Sequence, residues 1–218
     1  MTNNSVLAAF SKLDSAAVSD ALDGLGLPSG FGGITPRTGI DSIVGYAVTV
    51  QLEPYVPGPS GPHIASGAVA TATENDIIVV ANDGREDVSC WGGLLSLGAS
   101  LRGVRGTIVD GRCRDIGEAR ELGYAVFSRG GIPATARGRL QQRSTGEPVT
   151  IAGVPVAQGD IVIADETGIA VVPIGRAREV LASAQAIATR EQSIASELRN
   201  GVALPDAMHD ARLAGSDK

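Results

Sequence analysis

The chain has 218 residues, 18 Lys and Arg against 24 Asp and Glu, and a net charge of −6. That length fits one domain able to bury a core without disulfide or metal staples. An acidic balance with 3% aromatic residues argues against nucleic-acid partners, and no apolar run approaches the ~20 residues that span a membrane.

Taken in order, residues 3–26 predict two helices. Val6, Phe10 and Leu13 give the first an apolar face, and Asp14 or Ser15 can cap the second. The opening MTNNSVLAAF lacks the basic and long apolar segments of a secretion signal. Residues 27–38 are rich in Gly and Pro and predict a loop. Residues 42–52 alternate with β-branched positions and predict a strand. The proline-rich stretch 53–62 predicts a loop, 64–73 a helix and 77–81 a strand. A turn at 82–86 precedes Trp91-Gly92-Gly93, and 94–101 predicts a helix. A short strand at 107–109, a turn at Asp110-Gly111, a helix over 115–122 closed by Gly123 and a strand at 125–127 follow. This alternation makes residues 77–127 a central β-α-β-α-β unit. Short strands at 149–151, 154–156, 161–163 and 169–172 predict a β meander attached to it. Residues 176–199 predict a long amphipathic helix. The expectation is an α/β fold with a single domain over 1–200, and a polar tail or subunit-contact arm over 201–218.

The basic residues exclude much chemistry. Lys12 and Lys218 are the two lysines, in an N-terminal helix and at the last position, so Schiff-base catalysis has no well-placed amine. His63 and His209 are the two histidines, so one chain builds no three-His zinc site. His63 follows Pro62 with no visible partner. Cys90 and Cys113 form no C-x-x-C pair, and as reduced thiols they suggest a cytoplasmic protein. Arg, Asp, Glu, backbone amides and a hard metal ion remain.

Two constellations stand out. In Trp91-Gly92-Gly93-Leu94-Leu95, glycines precede a helix whose first amides suit a small carboxylate. The same pattern also describes a tight strand-to-helix turn with no ligand. In Arg114-Asp115-Ile116-Gly117-Glu118, two carboxylates three apart share one helix face and suit Mg²⁺ or Mn²⁺, with Arg114 able to hold an oxyanion. Here the alternative is a carboxylate capping box, Asp115 at the N-cap with Glu118 three residues on. Asp110 fits a turn residue, Cys113 a small buried one, and Arg137, Arg139 and Arg143 a solvated face or subunit contact.

The two constellations combine into G-x₂₀-R-D-x₂-E, from Gly93 through Arg114-Asp115 to Glu118. This spacing, with Ala17–Leu22, Val109-Asp110-Gly111 and Gly159-Asp160, resembles the RraA-like family of 4-hydroxy-4-methyl-2-oxoglutarate aldolases and RNase E inhibitors. The resemblance implies a swivelling β/β/α fold and a metal-dependent pyruvate aldolase that also decarboxylates oxaloacetate. In that picture the amides of Gly92, Gly93, Leu94 and Leu95 and the side chain of Arg114 bind a 2-oxo acid. Arg114 and Asp115 are catalytic, and Asp115 and Glu118 hold Mg²⁺ or another divalent cation. In the better-known aldolases an Asp stands at the position of Gly93, and members without it need the acid found here as Glu118. The inhibitor branch typically lacks that acid. Hence an enzyme is expected, with a non-catalytic regulator of an RNase E-type ribonuclease as the alternative. The family also implies a homotrimer or homohexamer, with a neighbouring subunit's carboxylate, Glu191 or Glu197 in this numbering, helping at the metal. Arg37, Arg129 and Arg137 are the candidates for the far carboxylate of the substrate.

Overall fold

The computed structural model describes residues 3–58 and 61–208. Helices α1 (Asn3–Phe10) and α2 (Ser15–Gly24) open the chain. Of the two candidate caps for α2, Asp14 does the work: its Oδ1 accepts from the Ala17 N–H at 2.8 Å. The expected loop that follows holds a two-residue strand, β1 (Thr35–Pro36). Then come β2 (Ser42–Pro54), α3 (Ser66–Thr71), β3 (Asp76–Ala81), α4 (Gly93–Leu101), β4 (Gly106–Cys113), α5 (Ile116–Glu121) and β5 (Ala125–Gly131). Four further strands, β6 (Leu140–Thr145), β7 (Val149–Ile151), β8 (Val154–Val156) and β9 (Ile161–Asp165), lead to β10 (Ile169–Val172). The long helix α6 (Ala177–Arg199) and the short α7 (Leu204–Ala207) close the described chain. Among the described residues no helix is long and apolar enough to cross a membrane.

Strands β2, β3, β4 and β5 are parallel and form the middle of one mixed sheet, in the order β1-β5-β4-β3-β2-β9-β10. Their apolar runs are buried on both faces, as parallel strands require. In β3, Ile78 and Val80 face a core shared with α3, α4 and Tyr124, while Ile77 and Val79 face a second core under the β7–β8 hairpin. A third core joins α1, α2 and α6 to β9 and β10. This is the expected single α/β domain with a long C-terminal helix.

Four boundaries differ from the sequence reading. First, β4 runs through Asp110-Gly111 instead of turning there. Gly111 lets the strand approach its neighbours: a Cβ on it would meet Asn82 Nδ2 and Cys90 Sγ at 3.0 Å. Second, β5 extends to Gly131. Third, β6 lies in a segment with no apolar alternation. It is an edge strand that borrows the far half of β2 as its antiparallel partner, with Leu140 alone fully buried. Fourth, the meander splits: β7 and β8 pair only with each other, whereas β9 and β10 join the main sheet beside β2. Of the segment 201–218, residues 201–208 are described and bury Ala207. The remainder, with His209 and Lys218, lies outside the described residues.

Candidate functional site

The site forms where the chain after β3 returns to the carboxyl end of β4. Ser89 bridges Arg112 in parallel, Cys90 N–H donates to Arg112 O at 2.9 Å, and Arg114 N–H donates to Trp91 O at 3.0 Å. This short zipper brings Gly92-Gly93 against Arg114-Asp115. Trp91 is fixed below it. Its Nε1–H donates to Ser96 Oγ at 2.9 Å, and its ring stacks on Tyr124 with centroids 6.5 Å apart.

Helix α4 starts with no side-chain cap. Its first intrahelical bond runs from Ser96 N–H to Gly92 O at 3.0 Å, so the three preceding amides need outside acceptors. Gly93 N–H donates to Asp115 Oδ2 at 3.0 Å. Those of Leu94 and Leu95 have no acceptor among the described residues, at the positive end of the helix dipole.

Asp115 is therefore a cap for the wrong helix. It occupies the N-cap position of α5, and its carbonyl accepts from Ala119 N–H at 3.2 Å, but its side chain makes no bond to that helix and its backbone is left-handed (φ 57°, ψ 35°). The reciprocal capping box does not form. The left-handed turn swings the carboxylate onto α4, where Arg114 Nε–H also donates to Oδ2 at 3.1 Å. Oδ1 keeps no protein partner among the described residues. A non-glycine residue held at positive φ is a form of strain that clusters at functional positions.

Both glycines are required by these side chains. A Cβ at Gly92 would lie 2.9 Å from Asp115 Oδ2 and 3.3 Å from Arg114 Cγ. A Cβ at Gly93 would lie 3.2 Å from Asp115 Cβ and would coincide with the Glu118 carboxylate. Glu118 thus fills the volume that a side chain at 93 would take.

A cleft of about 380 Å³ lies over this arrangement. Gly92, Gly93, Leu94, Leu95, Arg114, Asp115 and Glu118 all line it, so the residues of the two constellations face one space. His63, Ser89, Thr135 and Arg137 line it too. Of these the sequence offers Arg137 as one of three candidates for a far carboxylate; His63, Ser89 and Thr135 carry no spacing signal and arrive on the loops before α3, α4 and β6. His63 Nδ1–H donates to the Ile64 carbonyl at 3.0 Å. Of the three arginines considered for a far carboxylate, Arg37 is spent on Ser128 (Nη2 to O, 2.8 Å) and Arg129 on Asp110 (Nε to Oδ1, 2.6 Å). Arg137 faces the cleft, whereas Arg143 is solvated and Arg139 bonds Thr135 O at 3.0 Å. The two thiols are free and buried. Burial pushes both Cys90 and Cys113 up from the ordinary thiol range.

Among the described residues no group of three or more His, Cys, Asp or Glu side chains gathers as metal ligands. The cleft does offer Glu118 and the spare Oδ1 of Asp115. Two carboxylates fit a hard dication that keeps several waters, and fit zinc poorly.

Comparisons with known proteins show the family. The RraA-like family model, described as Aldolase/RraA, matches residues 15–171. The chain belongs to the RraA-like family. It is 32% identical over 197 residues to protein DlpA of Legionella pneumophila, covering 90% of this chain and 32% of DlpA, so it spans about a third of that protein. It is also 32% identical over 178 residues to a Halalkalibacterium halodurans protein named "Putative 4-hydroxy-4-methyl-2-oxoglutarate aldolase", covering 81% of this chain and 80% of that one. Among solved structures, Streptomyces coelicolor RraAS2, described as an unusual member of the RNase ES inhibitor RraA family, superposes with a TM-score of 0.82. Its identity is 27%, covering 91% of this chain and all of that one.

Proposed function

We propose that this protein is a divalent-metal-dependent aldolase. It would cleave a 4-hydroxy-2-oxo dicarboxylic acid, such as 4-hydroxy-4-methyl-2-oxoglutarate, to pyruvate and a second oxo acid. The observation that carries this reading is the Gly93 N–H to Asp115 Oδ2 bond at 3.0 Å, which joins the amide cradle and the acidic pair over one cleft.

Asp115, through Oδ1, and Glu118 would hold Mg²⁺ or Mn²⁺. When bound, such an ion supplies Lewis-acid polarisation of the 2-oxo group. The Leu94 and Leu95 amides bind the carboxylate beside it. Arg114 faces the keto oxygen, where negative charge grows as the C3–C4 bond breaks and its electron pair stays on the pyruvate fragment. The 4-hydroxyl loses its proton to become the second carbonyl, and C3 of the enolate later gains one. Oxaloacetate decarboxylation reaches the same enolate and is expected as a side activity. None of these steps needs a lysine, consistent with a chain that has two. Pyruvate release, coupled to lactate dehydrogenase, is expected with Mg²⁺ and should fall to background in EDTA. Equal rates in both would remove the metal from the account.

The working unit is inferred to be a homotrimer or homohexamer. On α4, Leu94 (85% exposed), Leu97 (39%) and Leu101 (80%) form one apolar face at helical spacing, and Leu122 (36%) lies just after α5. A second copy covering that face would close the cleft, and α6, with Glu191 and Glu197, lines no part of the cleft in its own subunit. Leu101→Glu is expected to give monomers in analytical ultracentrifugation; an unchanged assembly overturns this.

The same leucine face supports the alternative, a protein-docking regulator of an RNase E-type ribonuclease. Glu118→Ala separates the two readings. It should abolish pyruvate release, while a docking function would survive it.

A further inference from the structure

The cleft is also lined by His63, Thr135 and Arg137, outside the amide cradle and the acidic pair. We propose that Arg137 is the specificity-determining residue for the far carboxylate of the substrate, with His63 and Thr135 as walls of that subsite. This rests on the aldolase reading.

Arg137 lines the same cleft as Leu94, Leu95 and Arg114, and its guanidinium makes no hydrogen bond or ion pair among the described residues. That distinguishes it from Arg37 and Arg129, which are already spent. The loop carrying it is pinned to the frame of the site at two points. Ile132 N–H donates to Cys113 O at 2.9 Å, one residue before Arg114. Ser89 N–H and Oγ–H both donate to Ala134 O, at 2.9 and 2.6 Å, two residues before Trp91. A turn then follows, with Leu140 N–H donating to Ala136 O at 2.9 Å. The facing wall is tied to the same strand that ends this loop, since Ala65 N–H donates to Gln142 Oε1 at 2.8 Å. The backbone of this loop is held on the frame of the site, so the loop presents Arg137 to the cleft without itself having to reorganise.

The charges lead to the same class of ligand. Arg114 and Arg137 offset Asp115 and Glu118, so a dication bound at the acids leaves the cleft with the complement of a dianion. A 2-oxo acid with a carboxylate at each end meets that requirement. A 2-oxo monoacid leaves Arg137 unmatched.

The test is calorimetric titration, in Mg²⁺, of the whole protein and its Arg137→Ala and Arg137→Lys variants. The probes are 2-oxoglutarate and pyruvate. Arg137→Ala should weaken 2-oxoglutarate about 10- to 100-fold, while pyruvate stays within about twofold. Arg137→Lys should recover part of the loss, since lysine keeps the charge but not the fork. In turnover, Arg137→Ala should lower kcat/KM for 4-hydroxy-2-oxoglutarate and spare 4-hydroxy-2-oxopentanoate, which lacks the far carboxylate. Unchanged binding of 2-oxoglutarate, or equal weakening of both probes, overturns the assignment while leaving the aldolase reading in place. A wild-type protein that takes up neither probe overturns both.

Discussion

Asp110 and Asp115 lie five positions apart on the same excursion of chain, and their fates differ. Asp110 is 3% exposed, and both its oxygens are consumed: Arg129 Nε–H donates to Oδ1 at 2.6 Å and Ala152 N–H to Oδ2 at 3.2 Å. It ties β4 to the β7–β8 turn, where Ala152 and Gly153 both take positive φ. Asp115 spends one oxygen on Gly93 and Arg114 and keeps the other, at the lip of a cleft. A buried carboxylate with both oxygens bonded holds a fold together. One with an oxygen in reserve can hold something that comes and goes.

The largest effects should come from exchanging these roles. Asp115→Ala is expected to lower kcat on the order of 10²-fold or more, as loss of a charge-stabilising group does, with little change in Tm. Asp110→Ala should do the reverse. It strands Arg129 beside the core and should lower stability by about 3 kcal/mol, while the molecules that remain folded keep their activity. Thermal unfolding and kcat, measured on both variants, check the pair. If Asp110→Ala proved the catalytic loss and Asp115→Ala the structural one, the comparison would be inverted.

A smaller effect is expected from Gly93→Ala. Its Cβ would coincide with the Glu118 carboxylate, so Glu118 must leave the cleft. Activity should fall at least about tenfold, by displacement of one charged ligand. Restored activity in Gly93→Asp, in which the acid returns at the neighbouring position, would show that the place of the carboxylate matters more than its residue number.

Asp165 gives the smallest effect and extends the comparison to a third carboxylate. Burial pushes its pKa up, but hydrogen bonds from Ser15 N–H and Oγ–H (both 2.7 Å), Thr167 N–H and Gly168 N–H outweigh this and leave it lowered. A carboxyl with a depressed native pKa contributes its full stability above the unfolded value, near ~3.9, and loses it as pH falls through the native value. Asp165→Asn should therefore unfold below wild type at pH 7, by about 1–2 kcal/mol, with the gap closing in acid. A gap independent of pH would mean that Asp165 acts through shape rather than charge.

These contrasts also mark how far the sequence could be read. β3, α4, α6 and the Gly93…Arg114-Asp115…Glu118 set were legible because local periodicity and spacing carry them. Asp110-Gly111 misled because the pair has turn chemistry; the strand continues through it with a shift of register against β5 between Val109 and Arg112, where Gly111 lies close to Asn82 and Cys90. β6 was hidden because an edge strand of mostly polar residues has no apolar alternation to show. The capping box was a sound local expectation. It lost to a tertiary partner, the uncapped start of α4. His63 and Thr135 gave no sign, and Arg137 could not be chosen over Arg37 and Arg129, for the same reason: only the folded chain brings these loops to one cleft.

The central claim is that the α4 amides and the Asp115–Glu118 pair act together on one small anion and its dication. Calorimetric titration with oxalate, which mimics the pyruvate enolate, tests this most directly. Oxalate should bind wild-type protein in Mg²⁺, fail to bind in EDTA, and fail to bind Asp115→Asn even in Mg²⁺. Equal affinity in all three would contradict the account.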